Sequence, residues 1–158
     1  MCHRTVRRLF DQEVTIVDVP RSVRTYVDAF SRGDVDECMD TFAPDGTYSD
    51  PGIPQPLSGQ ALRDHFAGVF VGFPDATTET KGLDPITNDV WVWRWVVRGT
   101  NTGPIMGLPP TGRSLTLPGC EFIEVRGGKI HSIEGYFDRL TLLGQLGLAP
   151  SPSVRTST

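Results

Sequence analysis

VRTYVDAFSRGDVDECMDTFAPDGTYSDP, residues 23–51, decides the architecture. Val23, Tyr26, Val27 and Phe30 stand at i, i+3, i+4 and i+7, with Pro20 near the start and Gly33 as a stop, which predicts a helix with one buried face. Asp34 then opens a second, short helix. Its Asp34/Glu37 pair has capping-box spacing, and Val35, Cys38, Met39 and Phe42 repeat the apolar period. From Pro44 the character changes: Asp45-Gly46 is turn chemistry, and Thr47 to Asp50 reads as a short strand. The strand runs into a rigid loop, Pro51 to Gly59, holding three prolines and two glycines.

Downstream, Gln60 to Phe73 is helical, with Leu62, Phe66, Val69 and Phe70 on one side and Pro74 as its close. Four strands follow, at Ala76–Gly82, Asp89–Thr100, Arg113–Arg126 and Lys129–Asp138, the last two joined through Gly127-Gly128. In VWVWRWVV, residues 90–97, Trp91, Trp93, Trp95 and Val97 share one face and Val92, Arg94 and Val96 the other, and both faces read as covered. Leu140 to Leu148 predicts a short closing helix. Helices first and a meander afterwards make an α+β fold, with helices packed on a strongly curved antiparallel or mixed sheet that encloses an internal cavity. The connection NTGPIMGLPPT, residues 101–111, is long for a hairpin. Its Ile105, Met106 and Leu108 need a partner, either a cavity mouth or another subunit.

At 158 residues the chain fits one domain: an N-terminal extension at 1–17, a core domain at 18–149 and a C-terminal tail at 150–158 that is expected to be mobile. The 15 Lys+Arg and 19 Asp+Glu leave a net charge of -4 with the basic residues dispersed, which argues against nucleic acid as a partner. No apolar run approaches a membrane span. Cys2, Cys38 and Cys120 are odd in number and far apart, so neither a disulfide framework nor a paired-cysteine metal site is indicated, and a cytoplasmic location is expected. His3, His65 and His131 are too scattered to suggest a ligand set. No phosphate-cradling glycine motif appears, and neither metal nor cofactor is implied.

Chemistry is therefore sought in carboxylates on apolar strands, because a carboxyl group facing an apolar hollow has its pKa raised into a useful range. Asp50, Glu121 and Asp138 are the candidates. Each has an ordinary alternative: Asp50 as a turn residue before Pro51, Glu121 in a surface ion pair, Asp138 as the N-cap of the closing helix. Tyr26 belongs to an apolar helix stripe, and its hydroxyl needs a polar partner if buried. His65, Phe66, Trp93, Met106 and Tyr136 are the candidate substrate-binding residues, His65 being either a helix-rim or a cavity-lining histidine. Counting alternation along the last strand puts Asp138 on the face of Ile130 and Tyr136.

The opening stretch, together with PLSGQALRDHF (56–66), GTNTGPIMGLPPTGR (99–113) and GYFDRLTLLGQLGL (135–148), resembles the SnoaL-like polyketide cyclases. These belong to the nuclear transport factor two-like superfamily of cone-shaped α+β folds. The resemblance implies a cofactor-independent cyclase or isomerase acting by general acid–base catalysis on a small, apolar, polyketide-like substrate. It implies Asp138 as the acid/base group. A likeness to ketosteroid isomerase matches Tyr26, Asp50 and Glu121 to that enzyme's tyrosine, proton-shuttling aspartate and oxyanion-hole acid. Polyether epoxide-opening enzymes share the scaffold and imply Asp50 paired with Glu79. A non-catalytic ligand-binding dimer is the third alternative. The open sheet face and the tryptophan-rich strand lead us to expect a homodimer.

Overall fold

The computed structural model describes residues 18–149. The expected extension at 1–17, with Cys2 and His3, and the tail at 150–158 lie outside the described residues. The elements run α1 (Arg21–Arg32), α2 (Val35–Asp40), β1 (Phe42–Ser49), α3 (Gly59–Gly72), β2 (Thr77–Pro85), β3 (Val90–Thr100), β4 (Ser114–Arg126), β5 (Lys129–Phe137) and α4 (Arg139–Leu146). The five strands form one mixed, unclosed sheet in the order β1-β5-β4-β3-β2. Only the β1–β5 pair is parallel. With the helices on its inner face this is an α+β cone.

The helical opening follows its sequence signals. Gly33 takes φ 72° and closes α1 with bonds back to Ala29 and Phe30. Asp34 caps α2 by accepting from the Glu37 N–H at 3.0 Å. Only that half of the capping box forms, because the Glu37 carboxylate pairs with Arg32 instead. Strand β1 starts five residues earlier than predicted. Its pairing jumps from Phe42↔Ile130 to Thr47↔Ser132, so Asp45-Gly46 makes an irregularity inside the strand rather than a turn before it.

Tyr26 and Phe30 of α1 meet Trp93 edge-on at 6.0 Å, which fixes the helix against the inner sheet face. Trp91, Trp93, Trp95, Ile123 and Ile133 are buried on that face. Burial of this kind contributes on the order of 2–3 kcal/mol per large apolar side chain. Gly119 stands opposite Trp95 in the ladder, and the indole occupies the space a Cβ would need.

The outer face differs from the expectation of full coverage. Val92 and Val96 are half-buried there, Arg94 is exposed, and Phe122 and Tyr136 meet edge-to-face while exposed. The tryptophans on which the dimer expectation drew all face inward; what the outer face offers is the Phe122–Tyr136 pair. No helix among the described residues is long and apolar enough to cross a membrane.

Candidate active site

Between α3 and the inner face of the sheet lies a cavity of about 690 Å³. That is within the range of roughly 300–1,000 Å³ that holds drug-sized ligands. Its walls are mainly apolar: Phe66, Val69 and Phe70 come from α3, Trp95 from β3, and Leu115 and Leu117 from β4. Ile105 and Met106 of the 101–113 connection reach its rim, as do Arg139 and Leu142 of α4. Met106 (φ 52°) and Gly107 (φ 71°) form the tip of a tight turn closed by the Ile105–Leu108 bridge. Ile105 and Met106 thus find the cavity mouth, the first of the two partners considered, whereas Leu108 does not line the cavity and is exposed.

Three carboxyl residues line this space; Asp64 of α3 is exposed and accepts from Gln60, while the other two are withdrawn from solvent. Glu121 of β4 faces inward with Ile123 and Val125, between Trp93 of β3 and Gly135 of β5. It is 2% exposed, and the Tyr26 hydroxyl donates to its Oε2 at 3.1 Å. The partner that a buried tyrosine requires is therefore the glutamate. Tyr26 itself is fully buried and does not line the cavity. Burial, opposed by the Tyr26 bond and reinforced by the charge of Asp50, leaves the Glu121 carboxyl pushed up to about 8.

Asp50 follows directly on β1, two residues after the inward-facing Tyr48. Gly135 leaves room here, since the Tyr48 hydroxyl lies 3.1 Å from where a Cβ would sit. The Gly52 N–H donates to Asp50 Oδ1 at 2.5 Å, so the expected turn role is real. The other oxygen, Oδ2, lies 3.3 Å from His65 Nε2 on α3, the side chains being 5% and 25% exposed. Burial pushes the Asp50 carboxyl up, but bonds from His65 and Gly52, with the Tyr48 hydroxyl adding to them, outweigh burial and hold it below the usual carboxylate range. The Tyr48 and His65 rings lie 5.4 Å apart.

The structure thus gathers Tyr26, Asp50, His65, Phe66, Met106 and Glu121 in or directly behind one cavity. It sets Asp138, Tyr136, Trp93 and Glu79 apart. Asp138 caps α4, accepting from the Leu140 and Thr141 N–H groups at 2.9 and 3.1 Å and from the Thr141 hydroxyl at 2.7 Å. These bonds hold it below the usual range, and it is exposed.

The reason lies in β5. Val125 pairs with Ile130 but Glu124 pairs with Ser132, so one extra residue bulges out at His131 and the alternation reverses. Beyond it Ile133 and Gly135 face inward, while Glu134 and Tyr136 face out, Tyr136 being 51% exposed. Trp93 is core: its indole N–H donates to Thr80 Oγ1 at 3.0 Å, and it is Trp95 that reaches the cavity. Glu79 is on the surface in ion pairs with Lys81 and Arg98. Tyr48 and Trp95 were absent from the sequence candidates. The Tyr48/Asp50 spacing of two was the available signal for the first; for the second nothing in the alternation separates Trp95 from Trp93.

A family model described as SnoaL-like polyketide cyclase matches residues 21–146. Among solved structures, the chain is 28% identical to IdmH from Streptomyces antibioticus, described as a candidate polyketide cyclase, over 80% of this chain and 96% of that one, with a TM-score of 0.67. It is 24% identical to AclR, a candidate hydroxylase from Streptomyces galilaeus, over 82% and 95% of the two chains, with a TM-score of 0.71. A Catenulispora acidiphila protein with a ketosteroid isomerase-like fold is 21% identical over 84% and 96%, with a TM-score of 0.67. No curated protein matches the sequence.

Proposed function

Because the chain belongs to the family of SnoaL-like polyketide cyclases, we propose that it cyclises or isomerises an apolar, carbonyl-bearing intermediate. The Asp50–His65 pair takes a proton from the carbon beside the carbonyl, and neutral Glu121 donates a hydrogen bond to the enolate oxygen. Family membership supports a cyclase- or isomerase-type function; the assignment of roles is our own.

The observation that carries it is the opposite behaviour of two carboxyl groups in one apolar cavity. Asp50 is held ionised by its hydrogen bonds and Glu121 is held neutral by burial. A pair pushed apart in this way provides a base and an acid at the same pH. Since Tyr26 donates to one Glu121 oxygen, the acid proton sits on the other and is free to point at substrate. Tyr26 acts through Glu121 and is a positioning residue. A developing enolate in a water-poor site gains more from such a donor than it would in water.

The test is deuterium exchange of the α-protons of 2-tetralone, an apolar cyclic ketone small enough for the cavity, followed by NMR in D2O. Wild-type protein is expected to exchange them faster than buffer, and Asp50→Asn to slow exchange by about 10²-fold or more, the usual size of a general-base contribution. Equal rates for both proteins would remove Asp50 from the mechanism. Asp138→Ala is expected to lower the melting temperature by loss of the α4 cap while exchange per folded molecule stays at the wild-type value. A large loss of exchange in a well-folded Asp138→Ala protein would return that residue to the chemistry.

A further inference from the structure

Both oxygens of the Asp50 carboxylate already have partners. Oδ1 accepts from the Gly52 N–H and holds the turn after β1; Oδ2 faces His65 Nε2. Asp50 is also the less accessible of the two side chains, at 5% against 25% for His65. The imidazole projects from α3 into the cavity, braced by the Tyr48 ring, and its Nδ1 has no hydrogen-bond partner among the described residues. A carboxylate set against one imidazole nitrogen, with the other nitrogen left unpartnered on a cavity-lining side chain, is the arrangement of a base and its orienting group.

We propose that His65 Nδ1, rather than the Asp50 carboxylate, is the atom that accepts the substrate proton, and that Asp50 fixes the imidazole's tautomer and orientation. This rests on the acid–base reading above and refines it. In the step, the C–H bond beside the carbonyl breaks, its proton forms the Nδ1–H bond, and the electron pair moves to the carbonyl oxygen as an enolate. The Glu121 acid proton meets that oxygen. The imidazolium formed lies against ionised Asp50, which stabilises it, and returns its proton to carbon when the product bond system is complete.

The other charged or titratable groups lining the cavity are Tyr48 from β1, Asp64 from α3 itself, Glu121 from β4 and Arg139 at the start of α4. The Tyr48 hydroxyl is held well above its ordinary value by burial and stays neutral. Arg139 makes its bond at 3.5 Å to the Pro51 carbonyl. Among the groups lining the cavity, His65 alone sets an imidazole against the Asp50 carboxylate.

The variant His65→Gln places an amide N–H where Nε2 stood, keeping a donor toward Asp50 while offering no base. With 2-tetralone exchange as the readout, it is expected to lower kcat about 10²- to 10³-fold with little change in KM. The cavity variant His65→Ala is expected to regain rate in proportion to added imidazole, and Asp50→Asn combined with His65→Gln to be no slower than His65→Gln alone. Far-UV and near-UV circular dichroism report whether each variant is folded.

His65→Gln keeping more than a tenth of the wild-type rate, or His65→Ala gaining nothing from imidazole, would overturn the assignment. If Asp50→Asn is slow and His65→Gln is not, the acid–base reading stands with Asp50 as the base and the His65 proposal alone falls. Wild-type exchange no faster than buffer would remove both.

Discussion

Glu121→Gln is expected to make the protein more stable above neutral pH and at the same time a poorer catalyst. Folded Glu121 holds its proton up to about pH 8, whereas the ordinary value for the unfolded chain is 4.5. Between these values the native state binds a proton that the unfolded chain has released. Its contribution is therefore fully present below pH 4.5 and is lost as pH rises through 8, at about 1.4 kcal/mol per pH unit and roughly 5 kcal/mol in all.

A glutamine fills the same space without an ionisation to suppress, and its oxygen can still accept from Tyr26. The difference in unfolding free energy between variant and wild type should therefore widen with pH by several kcal/mol, read from urea titrations at pH 5, 7 and 8.5. A difference that stays constant across this range would show that Glu121 ionises normally.

Catalysis moves the other way. The amide still donates a hydrogen bond but carries no acid proton, so exchange should fall about 10- to 100-fold below the wild-type value at pH 6. The wild-type rate should also decline through pH 8 as Glu121 ionises, an alkaline limb that Glu121→Gln lacks. Because the Tyr26 bond pulls the Glu121 value down, Tyr26→Phe should move that limb to higher pH. Such a shift distinguishes a positioning role from plain core packing, which would lower stability without moving the limb.

The fold was legible because its signals are local. The apolar stripe of α1, the Gly33 stop, the Asp34 cap and the alternation of 90–97 each depend on a few neighbouring residues, and their order specifies helices laid against a meander. The site was legible only where local pattern survived tertiary pairing. Glu121 faces inward with Ile123 and Val125, as simple alternation requires, because β4 runs unbroken through that stretch.

Tyr136 and Asp138 were counted from Ile130, and the bulge at His131 reversed the parity between them and the starting point. A bulge depends on what the partner strand does, and the residues around His131 carry no glycine or proline to announce it. The Asp50–His65 contact was illegible for a different reason. The two residues lie on separate elements, and only the way α3 crosses the end of β1 brings them to 3.3 Å.

Gly103→Ala should cost the protein more stability than any surface substitution and should damage ligand entry with it. Gly103 lies just past β3, where its N–H donates to the Gly72 carbonyl at the end of α3 at 3.2 Å. A Cβ on residue 103 would run into the backbone carbonyl of Val71, which no side-chain rotation can relieve. The connection must then back away from α3.

Backing away takes Asn101 with it. This fully buried amide donates to the Gly72 and Gly103 carbonyls at 3.1 and 2.9 Å, and accepts from the Thr111 N–H and hydroxyl at 2.8 and 3.0 Å. Each buried polar group left unpaired costs about 1–3 kcal/mol, so a melting temperature lower by roughly 10 °C is expected.

Ile105 packs against Gly72 and leads to Met106 at the cavity rim, so the same displacement should weaken binding of 2-naphthol, the aromatic counterpart of the 2-tetralone enol, by more than about 10-fold. Gly144→Ala in α4 is the matched control. Apart from adjacent residues and the helix's own backbone, no atom lies within 4 Å of the added methyl group, and alanine in a helix interior is favoured over glycine by about 1 kcal/mol, so that variant should be slightly more stable than wild type. Equal melting temperatures for the two alanine variants would mean that the joint between α3 and the connection is loose, and that the cavity mouth is not held by Asn101.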